Sequence, residues 1–187
     1  MSKGKLFVIS GASGVGKSTV LKTVMKERHD LAFSVSATTR QPRPDEVEGV
    51  HYYFVTKEKF EAMIAGDAFL EYDNHTENYY GTPLEQLEDK LQRGHVILDI
   101  EPAGARIVKT KRPDTALIFI MPPSMEELER RLRGRNDTSE EQIQKRLNRA
   151  TWEIEQRTWY DHVVVNDEVA RCAGEILNII AQIADKN

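Results

Sequence analysis

Gly11-Ala12-Ser13-Gly14-Val15-Gly16-Lys17-Ser18 fits the spacing G-x-x-x-x-G-K-[ST]. It directly follows the apolar run Leu6-Phe7-Val8-Ile9 and precedes a helix-forming stretch from Thr19 to about Glu27. Strand, glycine-rich loop and helix in that order form the context a phosphate-binding loop requires. The glycines let the backbone curl so that successive N–H groups converge on one anion. The helix N-terminus adds partial positive charge. Lys17 offers a point charge to the β- and γ-phosphates, and the Ser18 hydroxyl can ligate Mg²⁺. The alternative is an ordinary Gly-rich strand–helix turn, but the full pattern with these flanks rarely arises by chance. The expectation is a nucleotide-phosphate site.

Working outward, 187 residues suggest one domain, with room for an inserted lobe. A hydrophobic share of 40% supplies a core, and 30% charged residues describe an ordinary solvated surface. A net charge of −4 gives no reason to expect nucleic acid as a partner. No apolar run approaches the ~18 residues that span a bilayer. The start Met1-Ser2-Lys3-Gly4-Lys5 enters a strand almost at once, leaving no room for a signal peptide, so a cytoplasmic enzyme is expected. The lone Cys172 has no internal disulfide partner and reads as a small buried residue. His29, His51, His75, His95 and His162 lack metal-site spacing.

Five apolar runs, at 5–10, 32–35, 96–100, 116–121 and 162–166, read as strands separated mostly by helical patterns. That alternation predicts an α/β fold, three layers around a five-stranded parallel sheet. Helices are expected at 18–28, 83–93, 102–109, 124–134, 139–157 and 170–184. Thr82-Pro83 looks like a cap with Pro in the first turn, and Pro123-Ser124-Met125-Glu126-Glu127 like a capping box. Residues 36–82 break the alternation: β-like pieces at 51–55, 69–72 and 77–80 surround one helix at 57–65, predicting a small inserted α+β lobe. A charged helical hairpin over 126–149, hinged near Gly134, is a second insertion, which leaves 1–35, 83–125 and 150–187 as the core.

The inserted lobe carries Arg40 and Arg43 on a Pro-stiffened segment, with Tyr52 and Tyr80 as hydroxyl donors. Two forked guanidiniums can grip a phosphate dianion bidentately. Alone they would read as solvated loop charges; beside a phosphate loop the clamp is favoured.

With that loop, Ser34-Val35-Ser36-Ala37-Thr38-Thr39-Arg40-Gln41-Pro42-Arg43, Glu48-Gly49-Val50-His51-Tyr52, Phe69-Leu70-Glu71 and Asn78-Tyr79-Tyr80-Gly81-Thr82 stand in one order. Leu98-Asp99-Ile100, Arg131-Leu132-Arg133-Gly134-Arg135, Lys145-Arg146-Leu147 and Val165-Asn166-Asp167 continue it. Over nearly its whole length the chain resembles the guanylate kinases. The resemblance implies ATP as donor, GMP and also dGMP as acceptor, Mg²⁺ as cofactor, a GMP-binding lobe at 36–82 and a mobile lid at 126–149.

Position by position, it implies that Arg40, Arg43, Tyr52 and Tyr80 hold the GMP phosphate, and that Ser36, Glu71 and Thr82 read guanine with Asp99 nearby. Guanine shows two adjacent donors, N1–H and the 2-amino group, beside the acceptor O6. A carboxylate can take both donors while a hydroxyl donates to O6. Adenine lacks the N1 donor, and such mismatches discriminate by about 10⁴–10⁵. The plainer readings are a strand-edge charge for Glu71 and a helix cap for Thr82. Asp99 ends an apolar strand at the ligand-bearing edge of the sheet, where it could hold Mg²⁺ with Ser18, partly through water. The sequence departs from many relatives just beyond, with Glu101 for aspartate, Pro102, and Ala103 for glutamine; Glu101 reads as a metal-shell residue or as a cap of the next helix.

In the lid the resemblance singles out Arg131, Arg135 and Arg146 as phosphate contacts, with Lys17 and Arg40 completing the catalytic charges. Arg130, Arg133 and Arg149 are left as surface charges or unassigned, among many glutamates. Asn166 reads either as an adenine contact or as a turn cap. The implied reaction, ATP + GMP ⇌ ADP + GDP, needs no general base, which fits a chain without a His or Cys constellation. Two other readings are a catalytically silent guanylate-kinase-like binding module, expected to have a degraded phosphate loop, and a kinase for another nucleoside monophosphate.

Overall fold

The computed structural model describes residues 3–75, 77–134 and 139–185. In chain order the elements are β1 (Leu6–Gly11), α1 (Lys17–Glu27), β2 (Leu31–Phe33), β3 (Ala37–Thr38), β4 (Tyr53–Phe54), α2 (Lys57–Ala65), β5 (Phe69–His75) and β6 (Asn78–Pro83). Then follow α3 (Leu84–Arg93), β7 (His95–Asp99), α4 (Pro102–Lys111), β8 (Ala116–Met121), α5 (Met125–Arg133), α6 (Glu140–Glu155), β9 (His162–Val165) and α7 (Val169–Ala184). The five strands expected from their apolar runs form one parallel sheet of order β2-β7-β1-β8-β9.

Successive strand residues face opposite sides of a sheet, so a strand buried on both faces reads as a continuous apolar run. β1 does this. Phe7 and Ile9 pack with Val20, Leu21 and Val24 of α1 and with Cys172, Ile176 and Ile180 of α7. Leu6 and Val8 pack with Leu87 and Leu91 of α3 and with Ala105 and Val108 of α4. Cys172 is fully buried, as its apolar helix implied. The order places β1 between β7 and β8, so the loop after Gly11 emerges beside the carboxyl end of β7. Ligands of open α/β sheets bind at that edge.

A second sheet, of order β4-β3-β6-β5, carries its own small core. Phe60 of α2 stacks on Phe69 at 4.3 Å and on Tyr79 at 5.1 Å between ring centroids. The helix α2 falls where the sequence put it, capped by the Thr56 hydroxyl accepting from Lys59 N–H. β3 was not expected as a strand, and the piece expected at 51–55 pairs only over Tyr53–Phe54. Ser124 caps α5 by accepting the Glu127 N–H, as the capping box predicts. Among the described residues no helix is long and apolar enough to cross a membrane.

Candidate functional site: two clefts joined at Glu101

The loop after β1 turns through Gly14 at φ 87° and Gly16 at φ 91°, backbone conformations that side chains resist. At Gly14 space is equally restrictive, since an added Cβ would lie 2.6 Å from Leu132 Cδ2. Val15 N–H donates to Ala12 O, closing the loop, and α1 begins at Lys17 with Gly16 as its cap residue. Gly11, Ala12, Ser13, Gly14, Val15, Gly16, Lys17 and Ser18 therefore line one cleft of about 290 Å³, together with Glu101, Arg149 and Glu153. The curl is braced from behind. Asn166 Nδ2 donates to Val15 O at 2.7 Å, and Arg131 donates to Val15 O and Asn166 O at 3.2 and 3.1 Å. Ser13 N–H donates to Glu153 Oε2 at 2.6 Å.

Lys17 is ion-paired with Asp99 at the end of β7. Burial draws the Lys17 ammonium down to about 8, with Glu101 and Glu153 pulling the other way.

Across Glu101 lies a second cleft, also about 290 Å³, lined by Ser36, Tyr52, Glu71, Tyr80, Asp99, Glu101 and Gly104 among others. Its floor is Glu71, only 6% exposed. Burial lifts this carboxyl above its ordinary range; the Thr82 hydrogen bond opposes the rise and Asp73 adds to it. Thr82 is fully buried, and its hydroxyl donates to Glu71 Oε1 at 2.6 Å. Gly104 keeps the other oxygen clear, since a Cβ there would come within 3.0 Å of Oε2. At one end of the cleft, the Arg40 guanidinium lies 5.5 Å from the Tyr52 ring, and the Tyr52 and Tyr80 rings meet edge-on at 6.0 Å. Arg40 also donates to Glu46 Oε1 at 2.7 Å, and the Arg43 N–H to Glu46 Oε2 at 2.8 Å. Those two donors hold the Glu46 carboxyl down at about 2.

The guanylate kinase family model matches residues 3–183. The chain belongs to the guanylate kinase family. It is 50% identical over 179 residues to the guanylate kinase of Thermus thermophilus, covering 95% of this chain and 81% of that one. It is 49% identical over 181 residues to the guanylate kinase of Fusobacterium nucleatum, covering 96% and 97%. The solved guanylate kinase of Anaplasma phagocytophilum superposes with a TM-score of 0.79 at 34% identity, over all of this chain and 89% of that one.

Within this guanylate kinase fold, several sequence expectations change. Thr82 is not a helix cap: it lies within β6, Pro83 occupies the cap position of α3, and the Thr82 proton is spent on the buried carboxylate beside it. A hydroxyl has one proton to donate, and Thr82 gives it to Glu71 Oε1; Ser36 is a hydroxyl that lines the cleft. Glu101 stands at the cap position of α4, but its side chain makes no capping bond; it pairs with Arg149. Arg149 itself is not a free surface charge, because it faces the phosphate loop. Asn166 does not cap its own turn: it is 3% exposed, and its Nδ2 donates to Val15 O.

Arg43 is exposed, with no side-chain partner among the described residues, and Arg146 is half-buried and likewise unpaired there. Arg135 lies outside the described residues. Sequence reasoning missed Glu46, Gly104 and Glu153. The last had a signal, a glutamate on the α6 face shared by the buried Ala150 and Ile143.

Proposed function

We propose that the chain transfers the γ-phosphoryl group of ATP to GMP, giving ADP and GDP, and that it accepts dGMP as well. The observation that carries this is the pair of clefts meeting at Glu101, one a cradle of backbone N–H groups, the other floored by a buried carboxylate. Glu71 accepts guanine N1–H and the 2-amino group, and Ser36 donates to O6. Arg40, Arg43, Tyr52 and Tyr80 hold the GMP phosphate, for which Arg40 exchanges its bond to Glu46.

The attacking atom is a GMP phosphate oxygen, already anionic near neutral pH. Its bond to the γ-phosphorus forms as the bond from that phosphorus to the β-bridging oxygen breaks, and ADP leaves with the electron pair. No side chain must remove a proton. The work is alignment and charge neutralisation. Lys17 leaves Asp99 for the β- and γ-phosphates, and Arg131, Arg135 and Arg146 add charge as the lid at 126–149 and the lobe at 36–82 close and exclude water.

The oxygen donors Ser18 and Asp99, at the mouth of the phosphate loop, suit a hard cation and would hold Mg²⁺, partly through water. When bound, that ion neutralises charge shared by the β- and γ-phosphates. The chain works in the cytoplasm, with small nucleotides as its partners. A coupled assay across GMP, AMP, UMP and dTMP tests the reading: GMP should turn over fastest. Faster turnover of AMP would refute the acceptor, and none with any acceptor would favour a binding module.

A further inference from the structure

The donor cleft contains a cation outside the motif pattern. Arg149 reaches it from α6, one turn beyond Arg146 on the same helical face. Its Nε donates to Glu153 Oε1 at 3.0 Å, and its Nη2 is paired with Glu101 Oε1. Glu153 is 3% exposed and holds the Ser13 N–H with its other oxygen. Glu101 lines both clefts. The guanidinium thus spans from the back of the phosphate loop to the seam where the two substrates would meet.

Neutralising the buried Glu153 is one use of this side chain, and the Nε contact alone performs it. The remainder of the group is not used that way. A guanidinium has five N–H donors. The two carboxylates engage Nε and Nη2, and Nη1 has no partner among the described residues. A permanently charged fork with unspent donors, inside a cleft lined by loop N–H groups, has the chemistry that recognises a phosphate. Its tether matters too: Nε on Glu153 fixes the root of the fork while the Nη atoms remain able to turn.

We propose that Arg149 contacts the terminal phosphate of the donor, turning its Nη groups from Glu101 to the γ-phosphate while Nε stays on Glu153. This deepens the reading of the site as an ATP:GMP phosphotransferase and rests on it. The exchange has a second effect: it frees Glu101, at the edge of the acceptor cleft, only when a triphosphate is in place. ADP, lacking the γ-phosphate, leaves the Arg149–Glu101 pair intact.

The test compares the full-length protein with Arg149→Ala and Arg149→Lys, by calorimetry with ADP and with a β,γ-imido ATP analogue, each with Mg²⁺, and by steady-state kinetics. Arg149→Ala should weaken the analogue about tenfold and ADP less than about twofold, and lower kcat on the order of 100-fold with the KM for GMP unchanged. Arg149→Lys, which keeps the charge and loses the fork, should recover part of kcat; if the alanine variant does not fold, the lysine variant carries the ADP-versus-analogue comparison. Equal losses for ADP and analogue would overturn the proposal, because bracing of the loop through Glu153 acts on both. Unchanged analogue affinity would overturn it as well. Failure of the unmodified protein to bind the analogue or to phosphorylate GMP would instead bring down the underlying reading of the site.

Discussion

Glu71→Gln isolates guanine recognition with the smallest change of shape. The amide keeps an oxygen to accept the Thr82 hydroxyl, which now donates to Oε1 at 2.6 Å. It replaces the second acceptor with an N–H₂ group aimed into the cleft beside Gly104. Guanine then meets a donor where it presents one. Losing a charge-assisted bond costs about 1.5–3 kcal/mol, and leaving a buried donor unsatisfied about 1–3 more. Together, about 2.5–6 kcal/mol corresponds to roughly 10²–10⁴-fold in kcat/KM for GMP. AMP, which offers an acceptor at N1, should lose little or gain. Folding should not suffer, because burial already raises the Glu71 pKa and so disfavours its charged form. The assay is kcat/KM for GMP and AMP, with thermal unfolding as control. A GMP/AMP ratio within about threefold of the unmodified protein, in a variant with unchanged Tm, would refute this account of specificity, since one lost bond should exceed it.

Lys17→Ala should lower kcat by about 10³-fold or more while GMP affinity, by calorimetry, stays within about twofold, because Lys17 lines the donor cleft and not the acceptor one. Affinity for the ATP analogue should fall as the pH rises above 8, because the protonated lysine is the form that binds and burial draws it down to about 8; a calorimetric profile with no fall between pH 8 and about pH 9.5 would contradict this. Gly14→Ala should lower folding stability by about 1–3 kcal/mol in urea unfolding, from the left-handed backbone at φ 87° and the close approach to Leu132. An unchanged urea midpoint would show that the loop relaxes freely.

The central sheet was readable because strands buried on both faces must be continuously apolar, and the phosphate loop because its glycines and lysine stand in the one context that uses them. β3 was not readable. Ala37-Thr38 has no alternation to show, and pairing with Tyr80 and Gly81 of β6 makes it a strand. Thr82 misled for a related reason: Thr-Pro before a helix looks like a cap, and only the tertiary approach of Glu71 supplies a stronger acceptor. Arg149 was hidden among lid charges because half of its environment is local and half is not. Glu153 lies four residues along the same helix, but Glu101 comes from the start of α4. Spacing shows the first partner, and only the fold brings the second.

A crystal structure with GMP and a non-hydrolysable ATP analogue bound together tests the account most directly. It should show the guanine N1–H and 2-amino groups on Glu71, and a GMP phosphate oxygen about 3–3.5 Å from the γ-phosphorus, in line with the bond to be broken. Guanine bound away from Glu71, or the two phosphates held in clefts that do not meet, would contradict it.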